Sequence, residues 1–199
     1  MPVQEIIKLA DITDGEMRLS LLLAIHCAPV LAGIKAANMV TVTQKEYAGI
    51  QDILQGTDIS CLFLETGNNM GISYLYREKE LAGYLYLKEM AVFLGKLGYP
   101  SNDLDGMLRH LEDRIYAYCS GEIVFPHEIG VFLEYPLMDV KGFLENKGKD
   151  FIYSGYWKVY DNVQETARKF MQYDTVRLQM VMAVAAGRNM QDIVEASAS

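Results

Sequence analysis

Leu19, Leu22, Leu23 and His26 recur at the three-and-four spacing of one helix face, so the run from about Thr13 to Cys27 predicts an opening helix that Asp14 can cap. Pro29 is expected to stop it. The β-branched run Asn38–Val42 predicts a short strand, and Thr43 followed by Glu46 is a capping box for a helix that closes near Gly56. Ile59–Glu65 and Gly71–Tyr76 predict the arms of a hairpin, because the Thr66–Met70 loop between them is built from residues that tolerate positive φ. Between Arg77 and Leu97 two apolar stripes run side by side, one through Leu81, Tyr84, Leu87, Ala91 and Leu94, the other through Tyr86, Met90, Phe93 and Leu97. Neighbouring residues differ by about 100° around a helix, so the stripes merge into one face and predict a single central helix.

After Tyr99-Pro100 a further helix is expected to turn Leu104, Met107, Leu108, Leu111, Ile115 and Tyr118 inward and Asp103, His110, Asp113 and Arg114 toward solvent, ending at Gly121. Phe125–Gly130 opens a short helix with Pro in its first turn; Tyr135-Pro136 breaks it and a second short helix runs to about Lys147. Phe151–Tyr160 reads as one last strand, with Phe151, Tyr153, Gly155, Trp157 and Val159 on one face. Asn162 and Glu165 cap a long final helix that fades near Gly187, and the tail after Glu195 is expected to fray. About four short strands among about seven helices, without βαβ alternation, predict an α+β fold with a small, mostly antiparallel sheet. The 199 residues fit a single domain with a core over about 13–187. Two segments resemble each other: Tyr99-Pro-Ser-Asn-Asp-Leu-Asp-Gly-Met-Leu108 and Tyr135-Pro-Leu-Met-Asp-Val-Lys-Gly-Phe-Leu144 share Tyr-Pro, Asp, an aliphatic residue, Gly and Leu in register. Two sharp corners of the same kind select the same residues.

Composition narrows the function classes. The chain is 51% hydrophobic, enough for a real core, and carries a net charge of −8 with no run of Lys or Arg. Sequence-independent nucleic-acid affinity needs clustered cations, so nucleic acid is not the expected partner. Cys27, Cys61 and Cys119 are odd in number and form no CxxC pair, which reads as reduced thiols and a cytoplasmic location. The most apolar stretch, Leu19–Ile34, is short and interrupted by His26 and Pro29, so no membrane span is expected. Neither GxxxxGK[ST] nor GxGxxG occurs, and no H-x-x-x-H or H-E-x-x-H spacing suggests a metal, so no cofactor or metal site is assigned.

The candidate chemistry is sparse. His127-Glu128 opens a helix, where the positive end of the helix disfavours an imidazolium and leaves His127 available as a base, with Glu128 a stabilised carboxylate. Cys27 could serve as a nucleophile only with another base, and His127 is the candidate. Lys35 and Arg77, at element ends, could neutralise an anionic ligand, and Trp157 with Lys158 could form a stacking platform. Ile129–Phe143 has the apolar spacing of a helix-turn-helix, yet its second helix offers Pro136, Leu137, Met138 and Gly142 where base-reading cations and amides belong, so it reads as helix-corner packing.

Several blocks are distinctive: His26-Cys-Ala-Pro-Val-Leu-Ala-Gly-Ile-Lys-Ala-Ala-Asn38, Tyr76-Arg77, Phe125-Pro-His-Glu-Ile-Gly-Val-Phe-Leu133, Tyr135-Pro136, Asp139-Val140, Gly142-Phe143 and Gly155-Tyr-Trp-Lys-Val-Tyr160. On these the chain closely resembles the bacterial domain-of-unknown-function family 3793 over nearly its whole length. The resemblance implies a cytoplasmic protein of anaerobic Gram-positive bacteria, with a link to redox or iron metabolism and a flavodoxin-like protein as one partner to consider. It carries over no activity, substrate or catalytic residues. The chain departs from the family pattern in Glu134, where Gly commonly precedes Tyr-Pro, and in Tyr173-Asp-Thr175, where members often carry a Cys. The leading expectation is a binding or adaptor domain for a protein or small ligand. The alternative is an enzyme using His127 and Glu128 in a small polar pocket, with Cys27 as a further candidate.

Overall fold

A computed structural model describes residues 15–197. It is α+β, as expected, with ten helices and two small antiparallel sheets among the described residues. The chain divides into two compact units, one comprising the residues up to Arg77 with those from Tyr173 onward, the other Glu78–Gln172.

The first unit begins with helices α1 (Glu16–His26) and α2 (Ala28–Leu31), the latter carrying Pro29 in its first turn. Pro29 thus starts a new helix directly after the old one, because its missing N–H falls where a helix has no partner for one. The expected cap Asp14 lies outside the described residues. Strand β1 (Ala37–Thr43) leads into α3 (Gln44–Leu54), where Thr43 and Glu46 form the reciprocal capping box. Strands β2 (Ile59–Gly67) and β3 (Met70–Arg77) form the hairpin, and β3 is the central strand of the order β1-β3-β2. Gly67 pairs with Met70, so the loop is the two residues Asn68 and Asn69, at φ 53° and 59°. Positive φ at both positions is the turn whose twist matches a hairpin, and asparagine adopts it at small cost. One face of the sheet, through Val40, Val42, Ile59 and Leu75, packs with Leu23, Leu31 and Ile50 into the core of this unit.

The second unit differs from the expectation in two places. Residues 77–97 form two helices, α4 (Glu78–Leu85) and α5 (Lys88–Gly95), because Leu87 takes an extended conformation (φ −54°, ψ 135°). The two stripes therefore belong to separate helices: Leu81 and Leu85 are buried from one, Met90 and Leu94 from the other, and Leu87 is exposed. Helix α6 (Leu104–Cys119) follows, capped by Asp103 through the Gly106 N–H, with Met107, Leu108, Leu111 and Ile115 buried. Tyr118 is exposed instead and sets its ring edge-on to Phe125. Helices α7 (Ile129–Phe132) and α8 (Leu137–Glu145) flank the Tyr135-Pro136 corner. Glu134 sits at φ 58°, a left-handed backbone that favours glycine.

The expected strand 151–160 is the second difference. It folds into a hairpin of β4 (Tyr153–Ser154) and β5 (Lys158–Val159), closed by a Gly155 N–H bond to the Trp157 carbonyl. A side chain at Gly155 would collide with the Phe170 ring, so the turn requires glycine for close approach. Helix α9 spans Val163–Ala185, and α10 (Met190–Ser197) follows Gly187. Met190, Ile193 and Val194 of α10 join the core of the first unit, beyond the 13–187 stretch in which the core was expected.

Candidate functional site

In the first unit, Cys27 is fully buried between α1 and α2. Burial pushes its thiol up to about 12, against a smaller downward pull from Lys35, so it stays protonated near neutral pH. A thiol reagent is expected to modify the exposed Cys119 readily in the folded protein and to leave Cys27 untouched until the chain is unfolded. Rapid loss of the Cys27 thiol under native conditions, read by mass spectrometry of the labelled protein, would contradict this.

Lys35 is buried and donates to the Ala37 carbonyl at 2.7 Å. Arg77 donates from Nε to the Val30 carbonyl at 2.9 Å and from Nη2 to the Leu31 carbonyl at 3.3 Å, and its Nη1 meets both Asp58 oxygens at 2.6 Å. The guanidinium thereby caps the end of α2. Asn38 accepts from the Val30 N–H at 3.1 Å, so three polar residues of the distinctive 26–38 and 76–77 blocks pin one loop.

In the second unit, His127 and Glu128 point to different work. Glu128 is buried, and its Oε1 accepts from the Tyr99 hydroxyl at 3.2 Å and from Arg114 Nε. Burial and the Glu128 charge together raise the Tyr99 phenol well above its ordinary range. His127 is exposed and lies against the rings of Phe125 and Phe143, with centroids at 5.2 and 4.7 Å. The helix after them has four residues, too short for a strong dipole.

Trp157 and Lys158 also separate. Trp157 is buried, stacked on Tyr135 at 4.6 Å and edge-on to Phe170 at 4.5 Å, and it donates from Nε1 to Asp139 at 2.7 Å. Asp139 also accepts from the Tyr160 and Asp161 N–H groups, at 2.7 and 3.1 Å. Lys158 leaves that core, donates to the Gly148 carbonyl and lies 5.6 Å from the Phe143 ring centre and 4.9 Å from that of Phe151. Two of the candidates, His127 and Lys158, therefore share the Phe143 ring.

None of the site residues singled out from the sequence lines a concavity of about 290 Å³ in this unit. The extended Leu87, the Glu134-Tyr-Pro corner and the start of α9 build it. Leu87, Met90, Leu137 and Met138 supply apolar lining, and Glu89, Glu134, Asp161 and Glu165 supply carboxylates, with Lys169 the one cation. Glu165 is held by the Asn162 amide at 2.5 Å and meets Lys169 at 3.9 Å. Tyr84 donates its hydroxyl to the Tyr135 carbonyl at 2.6 Å; burial, then the charges of Glu134, Glu89 and Asp139, raise its phenol above the ordinary range. Thr166, on α9, is 3% exposed and lines the pocket. Sequence reading missed this site because its lining comes from separated segments, and its one local signal is Glu134 in a position that favours glycine.

A family model described as "Protein of unknown function (DUF3793)" matches residues 23–194. No curated protein and no solved structure matches the chain.

Proposed function

Because the chain belongs to the DUF3793 family, whose description carries no activity, we propose its role from geometry: it is a binding domain, and the pocket bounded by Leu87, Glu134, Met138 and Thr166 is its small-ligand site. The observation that carries this reading is a concavity of about 290 Å³ with mixed apolar and polar lining, near the lower end of ordinary ligand pockets. The polar groups of the distinctive blocks support it from the other side. Glu128, Asp139, Lys35 and Arg77 are each buried and hydrogen-bonded to the chain's own donors or acceptors, which is the arrangement of groups that hold a fold. Catalysis by His127 and Glu128 is favoured less, since the Glu128 carboxylate is committed to Tyr99 and Arg114 and His127 rests on two phenyl rings.

The test is a thermal-stability screen of the full chain against chemically diverse small molecules. A ligand that binds only the folded state at about 100 times its Kd stabilises by about 2.7 kcal/mol. A stabilising compound whose effect disappears in Met138→Glu, at a residue 57% exposed and so replaceable without disturbing the core, is the expected result. Compounds that stabilise Met138→Glu and Leu87→Glu as well as the parent would contradict it, as would a screen without a stabilising compound.

A further inference from the structure

We infer that the ladder of rings leading to Phe143 is a docking surface for an acidic protein segment carrying large apolar side chains, a role separate from the pocket and independent of it. Tyr118, Phe125, His127 and Phe143 follow one another at centroid spacings of 5.2, 5.2 and 4.7 Å, and Lys158 links Phe143 to Phe151. Tyr118, His127 and Phe151 are exposed, and so is Ile152, next to Phe151 in the chain. Exposed aromatic and aliphatic side chains gathered on one surface mark the core of a protein interface, with charged residues as its rim.

The rim fixes the charge of the partner. Residues 146–158 hold three lysines against one aspartate, whereas the whole chain carries 26 acidic against 18 basic residues and a net charge of −8. Gly148 gathers the three: Lys147 and Lys149 flank it in sequence, and its carbonyl accepts a hydrogen bond from Lys158 Nζ. The loop is built for that approach. A Cβ at Gly148 would lie 3.0 Å from the Phe143 ring and 3.4 Å from Lys158 Nζ, and Lys147 and Asp150 keep left-handed backbones (φ 51° and 55°) that their side chains disfavour. Lys147 and Lys149 are exposed and form no ion pair among the described residues. Carboxylates on a partner would neutralise them, which sets partner choice and encounter rate, while apolar contact with the rings supplies affinity.

Two other anionic surfaces, a single-stranded nucleic acid and a lipid bilayer, fit less well. Successive bases need ring faces held parallel, and these rings stand at 89°, 60° and 55° to one another. Both also extend past the patch and meet the chain's net negative charge. A short segment escapes it, because salt screens exposed charges more than about 10 Å away.

Fluorescence anisotropy of a labelled peptide, blocked at both ends and titrated with the full chain, tests this. The probe is Glu-Glu-Trp-Leu-Phe-Glu-Glu; one control replaces its glutamates with lysines, the other its Trp-Leu-Phe with alanines. Expected is binding of the probe at least about tenfold tighter than either control, weakening with added salt. Lys147→Glu combined with Lys149→Glu is expected to weaken the probe about tenfold or more. Lys45→Glu combined with Lys79→Glu, at exposed positions of α3 and α4, changes the net charge equally and should weaken it less than about threefold. Ile152→Ser, at a side chain 66% exposed, should weaken it about three- to tenfold. Equal losses from the two lysine pairs would overturn the surface, because net charge alone would then explain the binding. Equal binding of the lysine control would overturn the acidic partner, and absence of probe binding would overturn the docking role. Tighter binding of oligouridylate or of phosphatidylglycerol vesicles than of the probe would give the surface to nucleic acid or membrane and overturn the inference.

Discussion

Replacing Asp139 with leucine is expected to lower the chain's unfolding free energy by about 3–5 kcal/mol, a large share of a typical domain's stability. Asp139 is 2% exposed and is the acceptor for three donors, the Trp157 indole N–H and the backbone N–H groups of Tyr160 and Asp161. Leucine fills nearly the same space and keeps water out, so all three donors are stranded. Each stranded donor costs about 1–3 kcal/mol, and shared relaxation keeps the total below their sum. Asp139→Asn should fall between, at about 1–3 kcal/mol, because one oxygen can still serve the two backbone donors while the amide NH2 is turned against the indole N–H. Trp157→Phe, which removes a donor instead of an acceptor, should cost less than Asp139→Leu through lost hydrogen bonding, and the double mutant should show strong coupling. Urea denaturation followed by circular dichroism reads all four. A loss below about 1 kcal/mol for Asp139→Leu would contradict the clamp.

Arg77→Leu is expected to cost about 3 kcal/mol, and Asp58→Ala less than about 1 kcal/mol. The contrast separates two explanations for one side chain. If the ion pair were what matters, the two substitutions would weigh alike. The Arg77 side chain is 6% exposed, whereas that of Asp58 is 63% exposed, so water can replace the carboxylate but not the guanidinium. What Arg77 secures is the Val30 and Leu31 carbonyls at the end of α2. Lysine cannot span both from one nitrogen, so Arg77→Lys should recover only part of the loss. Equal effects of Arg77→Leu and Asp58→Ala in the same denaturation assay would contradict this role.

What was legible in the sequence follows the range of the forces involved. The Thr43–Glu46 capping box and the hairpin turn are decided within a few residues: the box is where the pattern placed it, and the Asn68-Asn69 turn lies inside the expected Thr66–Met70 loop, which the strands shorten from both sides. The break at Leu87 carries no proline or glycine and both flanking helices are amphipathic, so periodicity alone joined them. The 151–160 segment alternates like a strand, yet contacts with Phe170 and Tyr135, distant in sequence, fold it at Gly155. The paired Tyr-Pro corners show the limit most clearly. Asp103 and Asp139 occupy matching positions, but Asp103 caps its own helix through the Gly106 N–H while Asp139 holds a hairpin. Gly106 and Gly142, also matching, both lie where a Cβ would strike a neighbour, Asp103 in one corner and the Tyr160 ring in the other. Similar local chemistry thus served two tertiary ends, and only the second could not be read from its neighbours. The pocket is the extreme case, since no single segment contains it.

The most direct measurement is a two-dimensional amide NMR titration of the isotope-labelled full chain with a compound that stabilises it in the thermal screen. Saturable shifts concentrated at Glu89, Glu134, Met138, Asn162 and Thr166, with His127, Phe143 and Lys158 still, are the expected result. Shifts centred on His127, Phe143 and Lys158 instead would move the site to the aromatic surface and contradict the pocket as the place where this protein binds its ligand.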